Sequence, residues 1–347
     1  MKTINQNNIE TIRLGTDFLG SGGGGSAIYA AYIMKSLIEN HPAISIIKMK
    51  DLPDDAVVAP LAYMGSPMVF QEKIVSIKNT SKIITFIETY INKKITHLIV
   101  AEIGGSNAFA PMWYSSYCNI PLVDGDFVGR AFPELSMIST NLFDIKTDTA
   151  FVCDSNGNSE VIHYDSFEYL ESQARDFSVK SGSTACIIPH ILSGKEIKKI
   201  AIPNTISQAY TIGNSIQKSL SIKELINKNN NITYIDSGYI HAIDQKIVSG
   251  FSVGEIIVKN NTDEYTIILQ NEYLALLKKN KIESITPDII MLLDYESLEP
   301  INSELLEWGI RVHIVTMKAD QLWYSQKGLT ITQKNIKKII INKGITV

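Results

Sequence analysis

The stretch Ile120 to Val123 reads as a short apolar strand, and it runs directly into Asp124-Gly-Asp-Phe-Val-Gly-Arg-Ala-Phe-Pro-Glu134. Three carboxylates and a guanidinium thus arrive where a buried strand ends, separated by two glycines and a proline. An open α/β sheet collects its ligand-binding groups at the carboxyl ends of its strands. This run therefore predicts both a buried parallel strand and a site at its tip. Glu102-Ile-Gly-Gly-Ser-Asn107 has the same grammar after the apolar run His97 to Ala101. Two neighbouring strands would aim both acidic ends into one crevice.

The surrounding pattern agrees with an α/β layer. Ile9, Ile12, Thr16 and Leu19 recur at helical spacing. Gly20-Ser-Gly-Gly-Gly-Gly25 breaks that helix, and Ser26 is placed to cap a second one from Ala27 to about Asn40. A strand over 43–49, a helix over 81–92 and a helical stretch over 111–117 complete the alternation expected of a largely parallel sheet. Turns fall at Asp51 to Asp55 and at Met64-Gly65-Ser66-Pro67, and a hairpin spans Phe151 to His163. After a helix from Phe167 to Arg175 the texture becomes β-rich. Short β-branched runs begin at Ala185, Ile232, Ile247, Glu255, Tyr265, Ile289 and Arg311, interrupted by a helix over 206–219. The expected organisation is an α/β N-terminal domain over 1–170, followed by a β-rich (α+β) C-terminal domain over 171–347.

Composition enters as a set of exclusions. Among the 347 residues the net charge is -4, which argues against a general nucleic-acid binder. The lysines near the C-terminus (Lys334, Lys337, Lys338, Lys343) alternate with isoleucines, as on an exposed edge of a terminal strand or helix. Cys118, Cys153 and Cys186 are scattered and odd in number, so neither a disulfide framework nor a cysteine zinc knuckle is expected. No apolar run is long enough to span a bilayer, and no apolar leader follows Met1. A cytoplasmic protein without membrane or nucleic-acid partners is the expectation, with homo-oligomerisation left open.

The site candidates each carry two readings. Gly20, Gly22 and Gly25 spell G-x-G-x-x-G, but a dinucleotide fingerprint needs a strand before it and the preceding segment is helical. No nucleotide is expected. Gly22, Gly23, Gly24 and Gly25 are instead read as tight-turn residues or as an anion-binding cradle of backbone N–H groups at a helix start. Asp124 and Asp126 flank one glycine and in extended chain point the same way, forming an acid–base pair or a metal ligand pair; an Asx-rich turn is the structural alternative. Glu102 either joins them, or caps a helix or pairs with Arg130 in a structural role. Arg130 either grips a substrate carboxylate with two parallel hydrogen bonds or neutralises Asp126 or Glu134. Glu134, after Pro133, is read as a first-turn helix residue, acting through the helix dipole or in catalysis. A divalent metal on Glu102, Asp124 and Asp126 stays open, with no His/Cys ligand set of normal spacing. His41, His190 and His241 read as packed or surface histidines.

These elements together resemble the S-methyl thiohydantoin desulfurase family. The resemblance rests on Leu19-Gly-Ser-Gly-Gly-Gly-Gly25, Met64-Gly-Ser-Pro67 with Glu72-Lys73, Glu102 to Asn107, and Pro287-Asp-Ile-Ile-Met-Leu-Leu-Asp294. Its most specific element is Asp-x-Asp-x-x-Gly-Arg-Ala-x-Pro-Glu, matched from Asp124 to Glu134. Ser115-Ser116 depart from the small apolar residues expected there. The resemblance implies hydrolytic removal of methanethiol from an S-methylated thiohydantoin to give a hydantoin. Glu102, Asp124 and Asp126 would be its catalytic residues. Gly22 to Gly25, Asn107, Arg130 and Glu134 would bind a small cyclic amide-like substrate. A hydantoinase-like cyclic amide hydrolase and a non-catalytic ligand-binding subunit of a hydantoinase or oxoprolinase system are the alternatives.

Overall fold

A computed structural model describes residues 1–65, 75–248 and 251–342. Ser66 and Pro67 of the predicted turn, the Glu72-Lys73 pair and Lys343 lie outside the described residues. The first sheet contains β1 (Thr3–Ile4), β2 (Ile44–Lys48), β3 (Val57–Gly65), β4 (His97–Val100), β5 (Leu122–Asp126), β6 (Thr149–Cys153), β7 (Ser159–His163), β8 (Thr184–Ile188), β9 (Leu192–Ser193) and β10 (Ile202–Pro203). Its order is β1-β2-β5-β4-β3-β8-β6-β7, with β10 on β5 and β9 on β3. The four central strands run parallel, β2 on β5, β5 on β4 and β4 on β3. Antiparallel strands extend both sides. Residues β4 and β5 pair in register at Leu98–Leu122 and Ile99–Val123, so their carboxyl ends stand side by side as the sequence predicts.

The second sheet is antiparallel throughout. It contains β11 (Ile232–Val248), β12 (Phe251–Lys259), β13 (Glu264–Gln270), β14 (Glu272–Lys278), β15 (Lys281–Ile285), β16 (Ile289–Asp294) and β17 (Arg311–Met317), in the order β15-β14-β13-β12-β11-β17-β16. The fold is thus an α/β N-terminal part with a mainly parallel core and a C-terminal part rich in antiparallel strands. The first sheet draws strands from both sides of residue 170, because β8, β9 and β10 return to it. Among the described residues no helix is long and apolar enough to cross a membrane.

Several elements differ from the sequence reading. β3, the strand that joins the parallel and antiparallel halves of the first sheet, went unpredicted. Pro60 in its middle argues against a central strand, yet the flanking Val58, Ala59, Leu61 and Ala62 are all buried. The runs at Ile232 and Ile247 are one strand, β11. Lys334, Lys337 and Lys338 sit on a helix, Gln326–Asn342, whose Ile336 and Ile340 are buried. Glu134 lies in a turn before the short helix Ser139–Leu142 rather than in a helix first turn.

Two helices lock the first sheet to the glycine segment. The helix Gln6–Leu19 crosses the helix Thr205–Gln217 with backbones nearly touching. A Cβ on Gly15 would meet the Ala209 carbonyl oxygen at 1.7 Å, and one on Gly213 would meet that of Thr11 at 1.8 Å. Backbone cannot move aside as a flexible side chain can. Substituting Gly213→Ala therefore forces the helices apart and is expected to cost about 1–3 kcal/mol, read as a lower denaturant midpoint in urea unfolding.

Candidate functional site

The glycine loop is a seam between the two parts of the chain. The Ser21 hydroxyl lies 2.9 Å from the Ile290 carbonyl oxygen and accepts the Ile290 N–H at 3.1 Å. The Tyr273 N–H donates to the Ser21 carbonyl at 2.6 Å, and the Ser303 N–H to that of Gly22 at 2.7 Å. Side chains have no room here. A Cβ on Gly22 would fall 2.5 Å from the Tyr273 ring, and one on Gly23 only 2.1 Å from Glu272 Oε1. On the other flank a Cβ on Gly24 would meet the Gly104 carbonyl oxygen at 2.4 Å. Ser106 donates its N–H to Gly24 and Gly25, and its hydroxyl to Gly24. The loop after β4, the loop after β5 and the head of β14 thereby converge on residues 22–25.

The N–H groups at this loop and helix start hold carboxylates of the chain itself. Gly24 N–H donates to Glu272 Oε1 at 3.3 Å, Ser26 N–H to Glu304 Oε1 at 2.7 Å and Ala27 N–H to Asp17 Oδ1 at 2.9 Å. These N–H groups are taken by carboxyl groups from within the chain, in keeping with the preference of helix N-termini for negative charge. Glu272 and Glu304 come from the C-terminal part, and neither was singled out in the sequence.

Asp124 and Asp126 take different partners. Asp124 accepts the Ser207 N–H at 3.1 Å and the Ser207 hydroxyl at 2.5 Å, which caps the helix Thr205–Gln217 in place of Asn204. Asp126 accepts the N–H groups of Ile103, Val128 and Gly129, at 2.9, 3.2 and 2.8 Å to Oδ2. It ties the loop after β4 to the loop after β5. Burial raises its pKa to about 7 against the lowering effect of those N–H groups.

Glu102 and Glu272 form the central acidic pair. Glu102 accepts the Asn107 amide at 2.7 Å and the Phe132 N–H at 3.4 Å, and Asn107 is itself held by the Tyr63 N–H at 2.9 Å. Burial raises Glu102 to about 7. Glu272 is 2% exposed and its Oε2 has no hydrogen-bond partner. Burial first, and then the charge of Glu102, raise it to about 8. Glu102 and Gly24 keep partial contact with solvent, so the pair is sunk at the edge of the interior.

Arg130 is fully buried and does not offer a two-pronged grip. Its Nε donates to the Ala131 carbonyl at 2.8 Å and its Nη1 to the Pro287 and Asp288 carbonyls at 2.9 and 2.5 Å. It makes no ion pair with Asp126 or Glu134. Its Nη2 is unpartnered, and its guanidinium carbon lies 4.7 Å from the centre of the Phe132 ring. Burial lowers its pKa to about 10, opposed by the charges of Glu272, Asp288, Tyr324 and Glu102. Glu134 stands apart, bonded to Asn335 and, at 3.3 Å, to Ser136. Among the described residues no group of three or more His, Cys, Asp and Glu side chains is gathered as a metal ion requires.

Two family descriptions cover almost the whole chain: S-Me-THD-like, N-terminal domain, matches residues 7–164, and S-Me-THD-like, C-terminal domain, matches residues 165–335. The chain belongs to this family. A crystal structure of a protein from Chromobacterium violaceum has the same fold, with a TM-score of 0.81 over 98% of this chain and 97% of that one, at 16% identity. No curated protein matches the chain.

The buried carboxyls set the pH dependence of stability. Asp17 is raised by burial to about 7, as are Asp126 and Glu102, and Glu272 reaches about 8, from ordinary values of 3.8 for Asp and 4.5 for Glu. Each holds its proton in the folded chain after the unfolded chain has lost it, so stability falls as pH rises through the folded values. Buried His190, depressed by burial to about 3, acts oppositely below its ordinary 6.5. The clean window is therefore pH 6.5 to 8.5, where a loss of about 1–3 kcal/mol is expected in urea titrations. In Glu272→Gln the slope should be shallower; an unchanged slope would show that Glu272 does not titrate there.

Proposed function

We propose that this protein is a hydrolase that replaces the S-methyl group of a thiohydantoin-type ring with oxygen, releasing methanethiol and leaving a hydantoin. The observation that carries this reading is the Glu102–Glu272 pair. Burial raises both carboxyls, Glu102 to about 7 and Glu272, with the charge of Glu102 added, to about 8; Glu272 has an unpartnered oxygen and lies against Gly23 of the glycine seam. Pairs of carboxyls with separated proton affinities supply one base and one acid near neutral pH.

The target carbon bears the S-methyl sulfur and is double-bonded to a ring nitrogen. Glu102, as carboxylate, removes a proton from water while the water oxygen bonds to that carbon. Glu272, as the acid, gives its proton to the ring nitrogen, so the tetrahedral centre forms without a nitrogen anion. The C–S bond then breaks and the sulfur leaves as methanethiol with the proton held by Glu102. The new hydroxyl returns its proton to Glu272 as the carbonyl forms. Water enters, methanethiol departs, and both carboxyls regain their starting states.

The aspartates of the Asp124-Gly-Asp126 element act here as positioning residues. Asp126 aligns the two loops that carry Glu102 and Arg130, and Asp124 anchors the helix packed beneath them. Asn107 orients the Glu102 carboxylate.

Incubation with an S-methyl thiohydantoin should release methanethiol, measurable with a thiol reagent. Glu102→Gln and Glu272→Gln should each lower kcat by about 100- to 10,000-fold. The rate should peak between about pH 7 and 8, the two limbs belonging to the coupled pair. Near wild-type turnover in both variants would remove the acid–base assignment.

A further inference from the structure

Two buried polar atoms in the interior of the seam lack partners, and they belong to opposite charges. Arg130 is 0% exposed and has one N–H-bearing nitrogen, Nη2, without an acceptor; Glu272 is 2% exposed and has one oxygen, Oε2, without a donor. Their charges act on each other, yet they do not close into an ion pair. A buried polar atom without a partner is costly to retain, and these two are left for a partner that the chain itself does not supply. Their other atoms are fully committed. Nε and Nη1 of Arg130 are fixed on three carbonyls, and Oε1 of Glu272 is fixed on Gly24 N–H. What remains is one fixed donor and one fixed carboxyl oxygen.

We propose that Arg130 Nη2 and Glu272 Oε2 together read one edge of a planar, uncharged cyclic amide, the donor meeting a ring carbonyl oxygen and the carboxyl meeting the ring nitrogen beside it. This rests on the hydrolase reading for the identity of the ring, but not on turnover. Nη2 presents its N–H groups from one nitrogen, which suits one carbonyl oxygen and not a carboxylate tail, whose two oxygens call for the parallel pair of nitrogens that Nη1 can no longer complete. The carboxyl oxygen suits the nitrogen in either state of the ring. With its proton it donates to a bare ring nitrogen, and without it accepts from a ring N–H. Gly22 and Gly23 permit this arrangement, since any side chain there would displace Tyr273 or Glu272.

The assignment makes selectivity a property of two ring atoms. A site built to hydrogen-bond a ligand group rejects an analogue that lacks the group, because its own buried atoms are left unpaired. The probes are hydantoin, a hydantoin methylated on both ring nitrogens, which has no ring N–H, and pyrrole, a planar ring with an N–H and no carbonyl. Calorimetric titration of the wild-type protein should show hydantoin bound at least about tenfold more tightly than either analogue. In Glu272→Gln, whose side chain retains an oxygen for Gly24 but loses the proton-exchanging carboxyl, the preference over the methylated ring should shrink by about tenfold or more. Affinities for all three probes within about threefold in the wild type would overturn the proposal, as would a Glu272→Gln protein that keeps the full discrimination. The comparison within the wild type needs no variant to fold. Methanethiol release without this selectivity would leave the hydrolase reading standing and remove the edge reading; the selectivity without methanethiol release would do the reverse.

Discussion

The close approach of Glu272 to Gly23 and the Gly24 N–H marks where the two parts of the chain interlock. It joins the head of an antiparallel strand to a loop between two helices of the α/β part, and it does so where no side chain fits. The tight packing of Gly22 against the Tyr273 ring and Gly23 against Glu272 means that the two parts of the chain meet backbone to side chain. Ser21 completes the joint by bonding to both Tyr273 and Ile290. A loop that reads in the sequence as an isolated anion-binding turn is thus an interlocking surface, with the chain's own carboxylates on its N–H groups.

That joint sets the electrostatics. Burying Glu102, Glu272, Asp126 and Asp17 removes them from water, and desolvation outweighs the hydrogen bonds that each receives. Arg130 is the cation at the centre, yet it is held mainly by backbone carbonyls rather than by a carboxylate. Strongly perturbed groups gathered in one place are a signature of functional sites, because a scaffold built for stability alone would pair them or replace them with apolar side chains. The difference between Asp126, whose charge is matched by three N–H groups, and Glu272, which has one long hydrogen bond and a bare oxygen, separates a carboxylate that holds loops from one free to act.

Much of this was legible in the residues. The apolar runs ending in Glu102 and Asp124 are adjacent parallel strands, the glycine run separates two helices, and the motifs that begin at Glu102 and Asp124 run into loops that converge on it. The strand Val57–Gly65 was hidden by Pro60, since a proline lacks the N–H that a central strand normally donates. Glu272 was hidden for another reason. Its only local signal is a lone acid heading a buried apolar strand, and its partners Gly24, Glu102 and Arg130 are well over a hundred residues away in sequence. The partners of Asp124 and Asp126 were hidden too, because alternation predicts which way a side chain points but not what waits there.

The sequence by itself determined the layered α/β beginning, the β-rich continuation and the family, because hydrophobic period, glycine placement and the motifs at strand ends are local properties. Only the tertiary structure decided which carboxyls share the interior. It placed Glu272 beside Glu102, turned Asp124 to the helix at Ser207, spent most of Arg130 on backbone carbonyls and left one donor and one oxygen unpaired. Desolvation and pairing depend on what surrounds a group from every side, and that surrounding comes into being when the two sheets meet across the glycine loop.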